Sequence, residues 1–402
     1  MPEVVVRPRI RGFIAANAHP EGCAVNVRRQ VEAARGTGGG ERLGTVLVLG
    51  SSTGYGLASL ITAVWGWDAE ALSVCYERPP RESKAGGMKT ASAGWYNLAK
   101  VHRLAKDEGR HVETINGDAF SHEVKEQVVE RLSERFRPVD LVVYSLASPR
   151  RKDPDSDTVW TSVIKPVGTP HGGKYVELRD ETVSTDHWEP ATEEEIRATV
   201  KVMGGEDWEM WVRRLGAEGL LADGARTVAY SYIGPRVTHP VYRTGTIGRA
   251  KEHLEATGER LDALLADLVD GGAWVSVNKA AVTQASAVIR AVPLYKRLLY
   301  RLMKEAGTHE LPIDQMVRLF RDHLGPGRTP EVDALRRIRL DDREMDPEIQ
   351  AGVQKLWEVV STENLSEISD WDGFKREFRQ LFGFEVEGVD YDAPVEVDRQ
   401  LV

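Results

Sequence analysis

At 402 residues, 41% hydrophobic and 29% charged, the chain is long enough to bury one large core with attached subdomains. Its formal charge of -9 offers no basic stripe for nucleic acid and no cationic face for anionic lipid, so small-molecule chemistry is expected and stable membrane association is not. The two cysteines, Cys23 and Cys75, are too few for a disulfide framework, and no cationic stretch precedes an apolar one near residue 1; a reduced, cytoplasmic protein is expected, with no metal site.

Leu43 to Trp67 carries no charged side chain. Within it, Thr45-Val46-Leu47-Val48-Leu49 reads as a buried parallel strand running into Gly50-Ser51-Ser52-Thr53-Gly54-Tyr55-Gly56, with a helix opening on Leu57-Ala58-Ser59-Leu60-Ile61. Such a turn aims free backbone N–H groups at an anionic pyrophosphate. The spacing Gly-x3-Gly-x-Gly is that of short-chain dehydrogenase-like proteins rather than the commoner Gly-x-Gly-x-x-Gly. An uncharged run of this length would also cross a bilayer, but a Gly/Ser/Thr cluster at its centre disfavours a spanning helix.

Further strands are expected at Leu72–Glu77, Val112–Ile115, Asp140–Ser145, Arg226–Ser231 and Ala273–Val277, with helices such as Glu123–Arg135 and Ile247–Leu268 between them. Glu77, closing the second strand 21 residues after Gly56, suits a carboxylate that accepts hydrogen bonds from the adenosine ribose. It repels a 2'-phosphate, which favours NADH over NADPH, although Arg78 beside it is the group that would hold that phosphate. Asp118, in Asn116-Gly117-Asp118-Ala119, is placed to accept from the adenine amino group, and Ser145-Leu146-Ala147-Ser148 lets a cofactor approach closely. A common Asn-Gly-Asp turn is the plainer reading of the former.

From Pro149 to about Gly224 a long polar insertion interrupts the alternation, with strand-like Tyr175–Leu178, a helix near Glu193–Met203 and the Trp-rich Asp207–Trp211; insertions of this length are usually functional. Beyond the fifth strand, the Tyr-x3-Lys pair of ordinary short-chain reductases is absent, and the nearest pairing is Tyr242-x8-Lys251. Nine steps of roughly 100° put the two on opposite faces of a continuous helix. Tyr242 is therefore expected in the loop and Lys251 in the first helical turns, with Thr246 as N-cap. An ammonium near the phenol would lower its pKa and bind the nicotinamide ribose. From about Pro293 the chain turns mainly helical; its apolar stripe Leu294–Met303 reads first as core and second as an acyl-chain wall. The division expected is an arm over residues 1–42, a dinucleotide-binding core over 43–292 with the insertion at about 149–224, and a helical extension over 293–402, forming one integrated unit.

These segments resemble a known family. Pro8-Arg9-x-Arg11-Gly12-Phe13, Ala18-His19-Pro20-x-Gly22-Cys23, the glycine turn, Glu77-Arg78-Pro79, Ala93-Gly94-Trp95-Tyr96-Asn97, Asn116–Phe120, Tyr144–Arg151, Met203–Trp208, Tyr242-x8-Lys251, Lys279–Ser286, Gly307–Glu310 and Phe382-Gly383-Phe384 are similar to those of FabV-type enoyl-acyl carrier protein reductases and trans-2-enoyl-CoA reductases, nearly end to end. The resemblance implies an α/β, Rossmann-type parallel sheet with an inserted substrate region and a helical C-terminal extension. It implies NADH-dependent reduction of the 2,3 double bond of trans-2-enoyl thioesters, on CoA or acyl carrier protein, in fatty acid biosynthesis. Hydride goes to C3 and a proton to C2. By the same analogy Tyr242 donates the proton, Lys251 holds the cofactor and tunes the phenol, and Tyr232 bonds the substrate carbonyl. Gly50, Ser51, Ser52, Thr53, Gly54, Tyr55, Tyr76, Glu77, Asp118, Ala119, Leu146 and Ala147 line the cofactor, with Ala281, Val282 and Thr283 at its nicotinamide end. Some relatives are described as flavin-binding, but no residue set here requires a flavin. Family members are often monomeric, and a monomer is expected. The alternatives are an NAD(P)H-dependent carbonyl or 3-ketoacyl thioester reductase on the same fold, and a redox sensor without turnover.

Overall fold

The structure, a computed structural model, describes residues 3–11, 14–82, 87–177, 180–240, 242–283 and 291–401. Among the residues singled out above, Gly12, Phe13, Leu178 and Gln284–Ser286 lie outside that set.

Seven parallel strands form the central sheet: β1 (Thr45–Leu49), β2 (Glu70–Cys75), β3 (Val112–Asn116), β4 (Val139–Tyr144), β5 (Leu221–Ser231), β6 (Gly272–Val277) and β7 (Arg337–Arg339), in the order β7-β6-β5-β4-β1-β2-β3. This is the doubly wound nucleotide-binding order, extended by one strand. All five residues of β1 are buried, because helices cover both faces of the sheet. Val46 and Val48 face one layer, packed by α1 (Pro20–Ala34), α2 (Gly54–Ile61), α3 (Ala93–Asp107) and α9 (Pro312–Leu319). Leu47 and Leu49 face the other, packed by α4 (His122–Arg135), α6 (Glu206–Ala217) and α7 (Thr246–Val269). Between α6 and α9 in the chain fall α7 and α8 (Ala291–Glu305); α5 (Glu193–Met203) precedes α6, while α10 (Pro347–Val359) and α11 (Trp371–Gln380) follow β7.

Several expectations shift. β2 ends at Cys75, so Glu77 lies beyond the strand rather than closing it. The pairing is continued by a side chain: Asn116 Oδ1 accepts from the Glu77 N–H at 2.7 Å and its Nδ2 donates to the Glu77 carbonyl at 3.0 Å. α2 opens at Gly54, one turn before Leu57, and passes into a π turn over Thr62–Gly66. Gly245, not Thr246, is the N-cap of α7; the Thr246 hydroxyl instead donates to the Val163 carbonyl at 2.5 Å and accepts the Lys165 N–H at 3.3 Å, which ties residues 163–165 to the helix. β7 had no apolar run to reveal it, since two of its three residues are arginines held by Asp333, Asp341 and Glu255.

Within residues 149–224, Arg150–Lys152 pairs with Val159–Thr161 and His171–Glu177 with Thr182–Trp188, both antiparallel. The Trp-rich segment is core: Trp208 and Trp211 of α6 are fully buried against the sheet layer of α4 and α7. The stripe on α8 is also mainly core, with Leu294, Tyr295, Leu298 and Leu299 buried among apolar side chains of the C-terminal helices.

Candidate active site

The turn after β1 requires its glycines. Gly50 has φ +87°, and a Cβ on it would lie 2.3 Å from the Ser145 carbonyl oxygen; a Cβ on Gly56 would lie 1.9 Å from that of Gly50. The backbones of the β1 and β4 ends thus meet without side chains between them. Thr53, the N-cap of α2, makes no side-chain cap, which leaves the first-turn N–H groups directed at the cleft outside the strand ends.

That cleft encloses about 540 Å³ and is lined by Gly50, Ser52, Thr53, Gly54, Tyr55, Tyr76, Glu77, Asp118, Ala119, Leu146, Ala147 and Thr283. Tyr76 stands 80% exposed at its rim. The structure therefore gathers most of the expected cofactor residues around one space; Lys251 and Ala281 line an adjoining cavity, and Ser51 and Val282 line neither. Ser51 is buried with its hydroxyl on the Val74 carbonyl at 3.2 Å, and Val282 packs in the apolar core beside α8. The Glu77 carboxylate accepts from the Ser52 hydroxyl at 2.7 Å and lies against the first turn of α3, where a Cβ on Gly94 would come within 2.1 Å of Oε1. A carboxylate is stabilised there by the positive end of the helix. Asp118 accepts the Phe120 N–H at 3.0 Å. Behind this loop, Lys125 donates to the Ala119 and Phe120 carbonyls at 3.1 Å and to Asp207 at 2.7 Å, and Trp211 Nε1 donates to Ala119 at 3.2 Å. Asp207 and Trp211 of the Trp-rich motif thus brace the loop of residues 118–120 at one side of the cleft.

A second cavity of about 220 Å³ adjoins the first, for Tyr55, Ser145, Leu146, Ala147 and Thr283 line both. Its inner wall carries Tyr232, Tyr242, Lys251 and Ala281, with Met203, Ile247 and Val292 as apolar surface. Tyr242 sits in the turn before α7, its N–H bonded to the Thr238 carbonyl at 2.9 Å, while Lys251 projects from the helix. Ending the turn at Gly245 lets residues nine apart reach one cavity. The Tyr232 and Tyr242 rings meet edge to face at 5.1 Å.

Burial governs the charges. It pushes the Tyr242 phenol up, the Glu344 carboxylate adding to the effect, contrary to the lowering by Lys251 anticipated from sequence. Burial also brings Lys251 down to about 8, its ammonium 3.5 Å from the Tyr230 carbonyl. Tyr232 donates to Glu344 at 2.9 Å.

Three groups at this cavity were not foreseen. Lys279 and Lys296 line it, brought by burial to about 8 and about 7. Glu344 lies behind it, fully buried, its carboxyl pushed up by burial. Lys279 stands just past the C-terminal end of β6, where ligands of open α/β sheets bind, and that position was the available signal. Lys296 looks in sequence like the polar face of an amphipathic helix, and nothing local marks Glu344.

Family models match three successive stretches of the chain: the NAD(P)H binding domain of trans-2-enoyl-CoA reductase over residues 5–82, the trans-2-enoyl-CoA reductase catalytic region over 89–324, and an enoyl reductase FAD binding domain over 332–395. The chain is 49% identical over 397 residues to the enoyl-[acyl-carrier-protein] reductase [NADH] of Opitutus terrae, covering 98% of each, and 48% identical to the trans-2-enoyl-CoA reductase [NADH] of Clostridium perfringens, covering 98% of this chain and 99% of that one. Its fold superposes on the crystal structure of Treponema denticola trans-2-enoyl-CoA reductase in complex with NAD, with TM-score 0.91, 45% identity and 99% of each chain covered. The Clostridium acetobutylicum enzyme in complex with NADH gives a TM-score of 0.92 at 37% identity, again with 99% of each chain covered.

The glycine cradle and Glu77 fit a dinucleotide. Residues 332–395 do not fit a flavin: none of them lines either cavity, their apolar side chains Val353, Phe374, Phe378 and Val386 are buried in packing, and the buried carboxylate of Glu344 already accepts three protein donors. Fold, cleft and full-length similarity lead to one conclusion: the chain belongs to the family of NADH-dependent trans-2-enoyl-CoA and enoyl-acyl carrier protein reductases.

Proposed function

We propose that this chain reduces the 2,3 double bond of trans-2-enoyl thioesters with NADH, and that Tyr242 supplies the proton. The observation that carries the assignment of residues is the inner cavity, where two phenols and an ammonium line a space opening from the nucleotide cleft.

In this reading Gly50, Ser52, Thr53 and Gly54 hold the pyrophosphate, Glu77 the adenosine ribose, Asp118 and Ala119 the adenine side, and Leu146, Ala147 and Thr283 the nicotinamide end. NADH, when bound, supplies the hydride that goes to C3 of the substrate. As C3 gains it, negative charge develops on the thioester oxygen, and phenolic O–H groups stabilise that charge more than they stabilise the neutral ground state. Tyr242 suits proton delivery to C2 because burial keeps the phenol protonated until a strong base appears beside it. Tyr232 turns its one hydroxyl proton from the Glu344 carboxylate to the thioester oxygen as substrate enters, and Lys251 bonds the nicotinamide ribose. Met203, Ile247 and Val292 take the acyl chain. The reaction belongs with fatty acid biosynthesis in the cytoplasm, with CoA or acyl carrier protein as carrier. A monomer belongs to this reading, in which residues 1–42, 43–292 and 293–402 work as one unit. No helix among the described residues is long and apolar enough to cross a membrane.

The test follows NADH absorbance with purified protein and crotonyl-CoA, crotonyl-acyl carrier protein or acetoacetyl-CoA. Oxidation with either crotonyl thioester and none with acetoacetyl-CoA is expected. The reverse pattern would establish the 3-ketoacyl reductase alternative.

A further inference from the structure

We infer that Glu344, carried by the C-terminal segment, is a positioning residue of the reduction site, acting through Tyr232 and through the Ala280 backbone; the inference rests on the enoyl-reductase reading above.

Glu344 is fully buried, and its two oxygens converge on both sides of the inner cavity. Oε1 accepts the Tyr232 hydroxyl at 2.9 Å and the Tyr295 hydroxyl at 2.7 Å, while Oε2 accepts the Ala280 N–H at 2.6 Å. Tyr232 comes from the end of β5, Ala280 from the end of β6 and Tyr295 from α8, so one carboxylate joins three separate walls. Tyr232 and Ala280 both line the cavity, and Tyr232 packs edge to face on Tyr242. Among the described residues no Lys or Arg is ion-paired with this carboxylate; the three hydrogen bonds above come from neutral donors, and Lys279 acts on it at longer range. A buried carboxylate held this way is costly to the fold unless every bond is made, which makes it an unusual choice for packing alone.

The turn that presents it is itself held firm. The Met345 N–H donates to the Asp341 carbonyl at 2.8 Å, Arg339 grips the Asp341 carboxylate at 2.8 Å, and Asp346 caps α10 immediately afterwards. Gln350 from the first turns of α10 donates to the Glu344 carbonyl at 2.6 Å and to the Tyr295 hydroxyl at 3.1 Å. The geometry gives this segment a task that flavin binding does not: it closes the back of the reduction site and sets where the Tyr232 hydroxyl stands.

The experiment is a double-variant cycle on the full chain, with Glu344→Ala, Tyr232→Phe and the pair, assayed with NADH and crotonyl-CoA; NADH affinity is read by fluorescence and folding by circular dichroism. Glu344→Ala is expected to lower kcat by about tenfold or more, as misplaced catalytic geometry does, with NADH affinity within about twofold of wild type. The loss in the pair should fall short of the product of the single losses by about threefold or more, because both changes break the same contact. Glu344→Gln, which keeps the volume but offers one acceptor oxygen instead of two, carries the same cycle if the alanine variant does not fold. Unchanged kcat, losses that multiply, or a matching fall in NADH affinity each overturn the assignment. A wild-type protein silent toward crotonyl thioesters removes the underlying reading and this assignment with it, whereas an active wild type with an unaffected variant removes only this one.

Discussion

Burial pushes the Tyr242 phenol up, the Glu344 carboxylate adding to the effect, so the group keeps its proton, which suits the donor role proposed above. Replacing it with Phe removes the donor and little volume, so a loss of about 2.7–4 kcal/mol, or 10²–10³ in kcat, is expected by comparison with other oxyanion donors. Steady-state kinetics with NADH binding measured separately would check this, and wild-type kcat would remove the role. Lys251, at about 8, is cationic below that pH and neutral above it. If its charge holds the cofactor, kcat/KM for NADH should fall as pH rises through about 8, and a flat profile from pH 7 to 10 would count against the assignment. Glu77 is already engaged by Ser52 against α3, which holds a carboxylate at the place proposed above for the adenosine ribose. Glu77→Ala should therefore raise the NADPH/NADH ratio of kcat/KM, and an unchanged ratio would shift attention to Arg78.

Elements set these residues by where they stop. β1 and β4 end together, with Leu49 opposite Tyr144, and the glycine turn lets the two strand ends touch. Because the contact at Gly56 is with backbone, a methyl group cannot be accommodated by rotating a side chain. Gly56→Ala is expected to cost about 1–3 kcal/mol by overpacking and to weaken NADH binding, readable by urea unfolding and a fluorescence titration. Wild-type behaviour in both would mean that the turn relaxes. α7 shows the same logic, since starting it at Thr246 rather than earlier brings Tyr242 and Lys251 to one cavity.

Across the whole molecule, distant segments close the site and the fold. Gln315 donates to the Tyr55 hydroxyl across 260 positions, and Glu344 reaches Tyr232 across 112. Glu3–Val4 pairs with Val395–Glu396, while Tyr96 and Trp95 of α3 donate to the Val397 and Arg399 carbonyls. Removing residues 395–402 would strand those two donors, at about 1–3 kcal/mol each, and take away the buried side chains of Val395 and Val397. A lower unfolding midpoint and faster hydrogen exchange in α3 are expected, and exchange as slow as in the full chain would show that the strand pairing is dispensable.

The nucleotide half was legible from local pattern: buried parallel strands read as continuous Val and Leu runs, the glycine turn has a fixed spacing, and helices between them follow the 3.6-residue period. The same local signals placed Tyr242 in a loop and Lys251 on a helix, because two residues nine positions apart fall on opposite faces of a continuous helix. What local pattern cannot carry is a contact between segments far apart in the chain. Lys296 reads as a solvated helix residue until α8 is packed inward, β7 reads as a charged loop until it pairs with β6, and Glu344 is one of 62 acidic residues until folding surrounds it with two phenols and an amide. Sequence determined the sheet, the glycine turn and the placing of Tyr242 before a helix that carries Lys251, through periodicity and turn chemistry; only the tertiary structure decided which buried charges face the second cavity, because burial and long-range hydrogen bonding exist only once the layers have closed.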